Sequence, residues 1–304
     1  MSIVEITNIS KSFGSVKAVD DVSFNIEQGE LFGLLGPNGA GKTTAIRCML
    51  DIFKPDSGSV SILGGSMTET KKDHIGYMPE ERGLYQDITL ERCLNYLGSL
   101  KGLSPADVKQ SSENYLERFD LTAHKTKKVK ELSKGMQQKA QIIATLLHKP
   151  DLLIVDEPFS GLDPVNTQMV KDLLREQHEQ GVTLILCSHQ MNLVEELCDR
   201  IVLIDHGRAV LYGTLDEIRT RFSGHAVSVQ TGDNLPELPG VERVEPVNGS
   251  YKLHLASGAD VQDVLRALVE QNINLQGFKI SVPTLDEIFI RVVKRVANGE
   301  REAL

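Results

Sequence analysis

The feature that most constrains the fold is a glycine-rich segment, GPNGAGKTT, at residues 36–44. An apolar stretch, LFGLL, precedes the segment, and a helical pattern follows from about Lys42 to Ile52. The segment matches G-x-x-x-x-G-K-[ST], in which backbone N–H groups and the amino end of a helix surround phosphate oxygens. Because it joins a buried strand to a helix, it predicts an α/β fold that binds a nucleotide.

The side chains of this loop have separate predicted tasks. Lys42 would reach the β- and γ-phosphates, and the hydroxyl of Thr43 would bind Mg²⁺. An ordinary glycine-rich turn is the alternative, but the flanking strand and helix supply the context that a phosphate loop requires. The predicted phosphate site consists of Gly36, Pro37, Asn38, Gly39, Ala40, Gly41, Lys42, Thr43 and Thr44.

Two further strands end in polar residues. LLIVDEP at 152–158 places Asp156 and Glu157 at the carboxyl end of an apolar strand, where α/β proteins form their sites. Asp156 would hold Mg²⁺ directly or through water, and Glu157 would polarise the attacking water as general base. His189 ends the strand VTLILCSH. Such strand ends are common in ordinary structure, and they gain weight here from the complete phosphate loop.

The pattern along the chain indicates two domains. Residues 1–222 alternate strands with helices, which predicts a doubly wound α/β sheet with a helical subdomain at about 86–150. Residues 223–304 have the pattern of a small α+β domain. DSGSVSILGG, at 56–65, has the pattern of a hairpin.

Composition excludes several classes of protein. With 42 acidic against 33 basic side chains, the chain carries a net charge of −9, unlike a protein that coats nucleic acid or anionic lipid. These totals leave room for a local basic patch, and residues 124–139 contain six lysines. The four cysteines show no zinc-like spacing. No signal peptide is expected, and no apolar run is long enough to cross a bilayer, so a membrane role would need a partner.

These elements, with three further motifs, resemble the nucleotide-binding subunit of an ATP-binding cassette (ABC) transporter. The resemblance covers about residues 2–222. In it, the phosphate loop resembles Walker A, LLIVDEP Walker B, LSKGMQQ at 132–138 the signature sequence, SGLD at 160–163 the D-loop, and SHQ the histidine switch. The implied fold is a P-loop ABC ATPase core with an antiparallel β subdomain and a helical subdomain, followed by the α+β domain.

The resemblance assigns roles by position. It implies that Phe13 stacks on adenine and that His189 contacts the γ-phosphate. Ser133 and Gly135 would bind the γ-phosphate of ATP held by the opposite subunit, and Asp163 would link the two sites. Because one chain supplies one Walker A and one signature, a second copy or a paralogue is implied. The lysine-rich residues 124–130 are then a solvated connector that leads to the signature.

This chain departs from the family pattern at two places. Glu80 stands where the family commonly has glutamine, and its carboxylate could contact Mg²⁺ or water. LSKGM replaces the common LSGGQ, although Ser133 and Gly135 are retained. The nearby EERGLY would face a membrane partner if the family geometry holds.

PEERGLY, LSKGMQQK and the appended domain together resemble a bacterial exporter subgroup, in which sodium or drug efflux is typical. The resemblance implies an ATPase at the cytoplasmic face of the membrane that uses ATP and Mg²⁺ and energises a separate permease. Nucleic acid is not an expected partner. The alternatives are a soluble ABC ATPase acting on nucleic acid or ribosomes, and a catalytically silent regulatory subunit.

Overall fold

The computed structural model describes residues 2–81, 83–223, 226–247, 249–256, 258–281 and 283–297. Arg82 of the EERGLY segment and the last seven residues of the predicted second domain, 298–304, lie outside the described residues. The strands are β1 (Ser2–Phe13), β2 (Val16–Glu27), β3 (Leu31–Leu35), β4 (Ser57–Ile62), β5 (Ile75–Met78), β6 (Leu152–Asp156), β7 (Thr183–Ser188), β8 (Arg200–Asp205), β9 (Arg208–Thr214), β10 (Ala226–Thr231), β11 (Val241–Val247), β12 (Ser250–Leu255) and β13 (Leu275–Ile280). The α-helices are α1 (Lys42–Met49), α2 (Glu69–Lys72), α3 (Leu90–Leu100), α4 (Pro105–Arg118), α5 (Lys134–Leu146), α6 (Pro164–Glu179), α7 (Met191–Leu197), α8 (Leu215–Phe222), α9 (Val261–Glu270) and α10 (Leu285–Ala297).

A six-stranded sheet in the order β5-β6-β7-β3-β8-β9 carries the predicted motifs. Its first five strands are parallel, and every residue of β3, β6 and β7 is buried. Strands covered on both faces need continuous apolar sequence, which explains runs such as LLIV and LILC. Since β6, β7 and β3 are neighbours, the acid pair, His189 and the phosphate loop all follow the same edge of the sheet.

An antiparallel sheet in the order β2-β1-β4 packs against one side of this layer. The shared core includes Phe24 and Phe32, whose stacked rings have centroids 5.5 Å apart, together with Ile46 of α1. The hairpin predicted for residues 56–65 is wrong. Only one strand, β4, forms there. It pairs with β1, on the opposite side of β1 from β2.

The helical insertion consists of α3, α4 and α5, with 3₁₀ turns at Thr122–His124 and Val129–Glu131. Each of its helices begins at a hydroxyl residue whose oxygen accepts a backbone N–H: Thr89 for α3, Ser104 for α4 and Ser133 for α5. A cap of this kind stabilises a helix by about 1 kcal/mol, so the sequence determines where each helix starts.

A second unit begins at Gly213 and contains a four-stranded antiparallel sheet, β11-β12-β10-β13. Val229, Leu253, Val264 and Leu268 belong to its core, and α9 contributes the last two. The predicted boundary followed Phe222, so the two divisions differ by α8. Thr214 caps α8 directly at the end of β9, and no composition change marks that junction.

Within the described ranges, none of the helices has both the length and the apolar character that a bilayer span needs.

Candidate functional site

The phosphate loop has a backbone that requires glycine at two positions. Gly36 has φ 149°, and a Cβ built there would lie 2.1 Å from the carbonyl oxygen of Ile204. Gly41 has φ 108°, and its Cβ would lie 2.2 Å from the carbonyl oxygen of Ala18. Because both obstacles are backbone oxygens, neither clash could be relieved by the rotation of a side chain. The loop can therefore curl closely enough for its N–H groups to surround a phosphate.

Lys42 begins α1 and is only 6% exposed. Its Nζ donates hydrogen bonds to the carbonyl oxygens of Gly36, at 2.7 Å, and Pro37, at 3.2 Å. The ammonium group is thus held across the loop by neutral acceptors. A phosphate oxygen is a stronger acceptor for this charge, so the loop fits the phosphates of a nucleotide.

Thr43 and Asp156 form a pair of oxygen ligands beside the loop. The Thr43 hydroxyl donates to Asp156 Oδ2 at 2.9 Å. Asp156 Oδ1 is buried without a hydrogen bond of ordinary geometry in the described part of the chain. Burial raises the pKa of Asp156, against the opposing effect of the Cys187 thiol and the Thr43 hydroxyl. A hydroxyl beside a buried carboxylate with a free oxygen is a donor set that fits Mg²⁺.

Glu157 and His189 form a second pair at the same sheet edge. Glu157 is 4% exposed, and its Oε1 lies 2.7 Å from His189 Nδ1 and accepts the backbone N–H of His189 at 2.8 Å. Ser188 Oγ donates to Oε2 at 3.2 Å. A carboxylate offers about four acceptor sites, so these three contacts leave one for a water molecule.

The backbone of Glu157 is strained. Its φ of +52° lies in the left-handed region, which costs of order 1–3 kcal/mol for a residue with a side chain. Its N–H donates to the carbonyl of Cys187 at 2.9 Å, in the neighbouring strand. The conformation turns the chain sharply at the end of β6 and leaves the carboxylate beside His189.

The predicted signature residues lie at the amino end of α5. The hydroxyl of Ser133 caps this helix by accepting the N–H of Met136 at 3.2 Å. A Cβ on Gly135 would lie 3.5 Å from the carbonyl oxygen of Gly161. No hydrogen bond between described residues joins Ser133 or Gly135 to the phosphate loop.

The remaining predicted residues lie on the surface. Asp163 caps α6 by accepting the N–H of Asn166 at 2.9 Å, and this bonding lowers the pKa of its carboxyl. Phe13 is 46% exposed and meets Phe53 edge-to-face at 5.3 Å, and Lys11 Nζ lies over its ring, 5.8 Å from the centroid. Glu80 is exposed, with no hydrogen-bond partner in the described part of its surroundings.

Comparison with known proteins gives the family. A family model described as "ABC transporter" matches residues 19–160, and one described as "ATP-binding protein DrrA1-3-like, C-terminal domain" matches residues 213–293. The ABC transporter ATP-binding protein YhaQ of Bacillus subtilis is 39% identical over 97% of this chain and 99% of its own length. The chain belongs to the ATP-binding subunits of ABC transporters.

A second relative and a solved structure are also similar to this ABC subunit. A Nod factor export ATP-binding protein I from Rhizobium sp. (strain N33) is 32% identical over 96% of this chain and 97% of its own. A solved structure described as the ATP binding subunit of an ABC transporter is 33% identical, with a TM-score of 0.68 over 72% of this chain and 93% of that one. The predicted family, the P-loop ATPase fold and the binding and hydrolysis of ATP are confirmed.

The sequence analysis of this ABC ATPase missed two residues that contact Glu157. Ser188 bonds to the Glu157 carboxylate, and Gln138 donates to the carbonyls of residues 157 and 158. Ser188 directly precedes His189, so its position beside the site could have been inferred. Gln138 gave no such signal, because its partners are 19 and 20 residues away along the chain.

Proposed function

We propose that this subunit energises export through a separate membrane permease, by hydrolysing ATP held between two ATPase subunits. The observation that carries the proposal is the adjacency of two pairs at one sheet edge. Thr43 with Asp156 supplies oxygen ligands, and Glu157 with His189 supplies an oriented base. Asp156 ends β6, His189 follows β7, and β7 lies between β6 and β3, the strand that precedes the phosphate loop and Thr43.

In this proposal Lys42 leaves its carbonyl acceptors and binds the β- and γ-phosphates. Thr43 and Asp156 would hold Mg²⁺, and Glu80 is a further candidate ligand from a neighbouring loop. When bound, Mg²⁺ neutralises charge on the phosphate oxygens. The backbone N–H groups of the loop and the amino end of α1 contribute positive potential at the same place.

Glu157 would accept a proton from the attacking water through its remaining acceptor site. His189 fixes the carboxylate by its backbone N–H and, when protonated at Nδ1, by its ring. If Nε2 is also to donate to a γ-phosphate oxygen, the ring must carry protons on both nitrogens.

A second copy of the chain, or a paralogue, would complete each site. The exposed amino end of α5 would present the hydroxyl of Ser133 and the backbone of Gly135 to the γ-phosphate on the opposite subunit. Asp163, at the exposed start of α6, would contact the opposite subunit as well. Phe13 would stack its exposed ring on adenine. Closure would then depend on nucleotide, and hydrolysis would release it.

Export is supported by the appended domain and by a relative. The residues from 213 onward match a DrrA-like C-terminal domain, and a relative similar over nearly its whole length is named for Nod factor export. We place the subunit peripherally on the cytoplasmic face of the membrane, bound to its permease. The loop with Glu80 and Tyr85 is the proposed permease contact, and no nucleic-acid partner is proposed.

The proposed role can be tested by expressing the subunit together with a candidate permease from the same genome. The subunit should then move to the membrane fraction, and cells should extrude a cargo that they otherwise accumulate. Glu157→Gln should abolish extrusion and leave membrane recruitment unchanged, because it removes the base and not the docking surface. A subunit that stays in the supernatant with its permease present would contradict the proposal.

A further inference from the structure

Helix α5 carries three buried glutamines whose side chains each hold two backbone carbonyls of another segment. Gln137 Nε2 donates to Val129 and Leu132, and Gln141 Nε2 donates to Pro79 and Glu81. Gln138 Nε2 donates to the carbonyls at 157 and 158, both at 3.1 Å. The helix that begins at the predicted signature therefore forms hydrogen bonds to three separate segments, and one of them contains Glu157.

The hydrogen bond from Gln138 is made to the strained residue Glu157. Glu157 is in the left-handed region, which persists only when surrounding bonds hold it. Its N–H is held by Cys187 and its carbonyl by Gln138, so both sides of the strained residue are fixed. Ser160 also donates its N–H to the same carbonyl, at 3.2 Å, from within the turn itself.

Gln138 is also isolated from the rest of the reaction chemistry. It is 4% exposed, and both of its amide bonds go to main-chain oxygens. It has no hydrogen bond to Lys42, Thr43 or Asp156 in the described chain. Any effect of its amide on hydrolysis should therefore act through the backbone of residues 157 and 158.

We infer that Gln138 is a positioning residue for Glu157. Its amide fixes the carbonyl of Glu157, keeps the residue in the left-handed conformation and so aims the carboxylate at the attacking water. This inference rests on the proposed role of Glu157 as the base. A displacement of about 1 Å in such a group can cost about 100-fold in rate, and loss of supporting bonds commonly costs about 10- to 100-fold.

The arrangement also connects the amino end of α5 with the second turn of that helix. Ser133, at the amino end, would touch the ATP of the opposite subunit, and Gln138 lies five residues further along the same helix. At about 1.5 Å per residue, the two positions are separated by about 7–8 Å of rigid helix. One helix thus carries both the predicted phosphate contact and the hydrogen bond to the backbone of Glu157 in the same chain.

The test uses Gln138→Met, which keeps the side-chain length and removes the amide. We expect kcat for ATP hydrolysis by the full chain to fall about 10- to 100-fold, with the KM for ATP unchanged. Thr145→Val is the control, because it removes a buried polar group from the same helix, outside the signature residues 132–138, without touching residues 157–158. An equal fall in kcat for Thr145→Val would show a general loosening of α5 and overturn the inference.

A double-mutant cycle separates this inference from the proposed function. In a Glu157→Gln background, Gln138→Met should leave the residual rate unchanged within about twofold, because the group that it positions is already gone. The same 10- to 100-fold fall in that background would mean that Gln138 acts elsewhere. If Glu157→Gln alone hydrolyses ATP at the normal rate, the base assignment itself fails, whatever Gln138→Met does.

Discussion

A chain carrying Glu157→Gln should bind ATP and lose almost all hydrolysis, by about 100- to 10,000-fold, because an amide cannot accept the proton of the attacking water. The substitution keeps size and shape, and the amide oxygen can still accept the backbone N–H of His189. ATP that is bound and not hydrolysed should hold two chains together. Phosphate release measures the rate, and light scattering with Mg-ATP measures the expected doubling of mass.

Glu30→Gln supplies the control for this experiment. Glu30 is also buried, and it pairs with Arg200 at 3.3 Å, away from the phosphate loop. Its replacement should lower stability and leave the turnover number close to that of the unmodified chain. Rapid turnover by Glu157→Gln, with no ATP-dependent dimer, would reject Glu157 as the base.

Lys42→Met should cause the largest loss of ATP affinity. Hydrogen bonds from a charged donor contribute about 1.5–3 kcal/mol, so their loss should raise the dissociation constant for ATP about 10- to 150-fold. The free energy of unfolding of the nucleotide-free chain should change little, since among the described residues Lys42 Nζ bonds only to two carbonyls and methionine fills a similar volume. Equilibrium binding of a fluorescent ATP analogue and thermal unfolding measure the two quantities.

Lys139→Met is the matched control, because Lys139 is equally buried in α5 and its Nζ donates to Asn166 Oδ1 at 3.0 Å. It should retain ATP affinity in the single chain. A similar loss of affinity in both variants would show that the effect of Lys42 is indirect, through folding, and would remove Lys42 from the phosphate site.

The cassette fold was predictable, and the phosphate site could be proposed from sequence, because their signals are local. GPNGAGKTT contains its own glycines, lysine and hydroxyl, and an apolar strand ending in Asp156 and Glu157 indicates a sheet edge without further context. The pairing of Thr43 with Asp156 across 113 residues followed from those two patterns and the rule that parallel strands share an edge.

Other features depend on contacts that no short pattern encodes. The stretch containing β4 has the turn residues of a hairpin, but its partner is β1, about 50 residues earlier. Gln138 is a polar residue in a polar stretch, and only the fold shows that its amide is buried against residues 157–158. The left-handed φ of Glu157 also has no sequence signal, because such conformations are enforced by tertiary contacts.

In the proposed function each ATP site is shared by two chains, and mixing inactive chains tests that arrangement. Lys42→Met disables the phosphate loop of its own chain, and Ser133→Ala disables the signature offered to the other chain. In a mixed dimer, both defects fall in one site and the second site is intact. Lys42→Met mixed with Glu157→Gln is the control, because each mixed dimer then has one defect in each site.

The measurement is the rate of ATP hydrolysis in equal mixtures of the purified chains. Random pairing makes half of the dimers mixed with one intact site each, so shared sites predict recovery to about a quarter of the normal rate for Lys42→Met with Ser133→Ala. The control mixture should show no recovery. If the first mixture gives only the average of its two separate rates, the sites are not shared between copies of this chain.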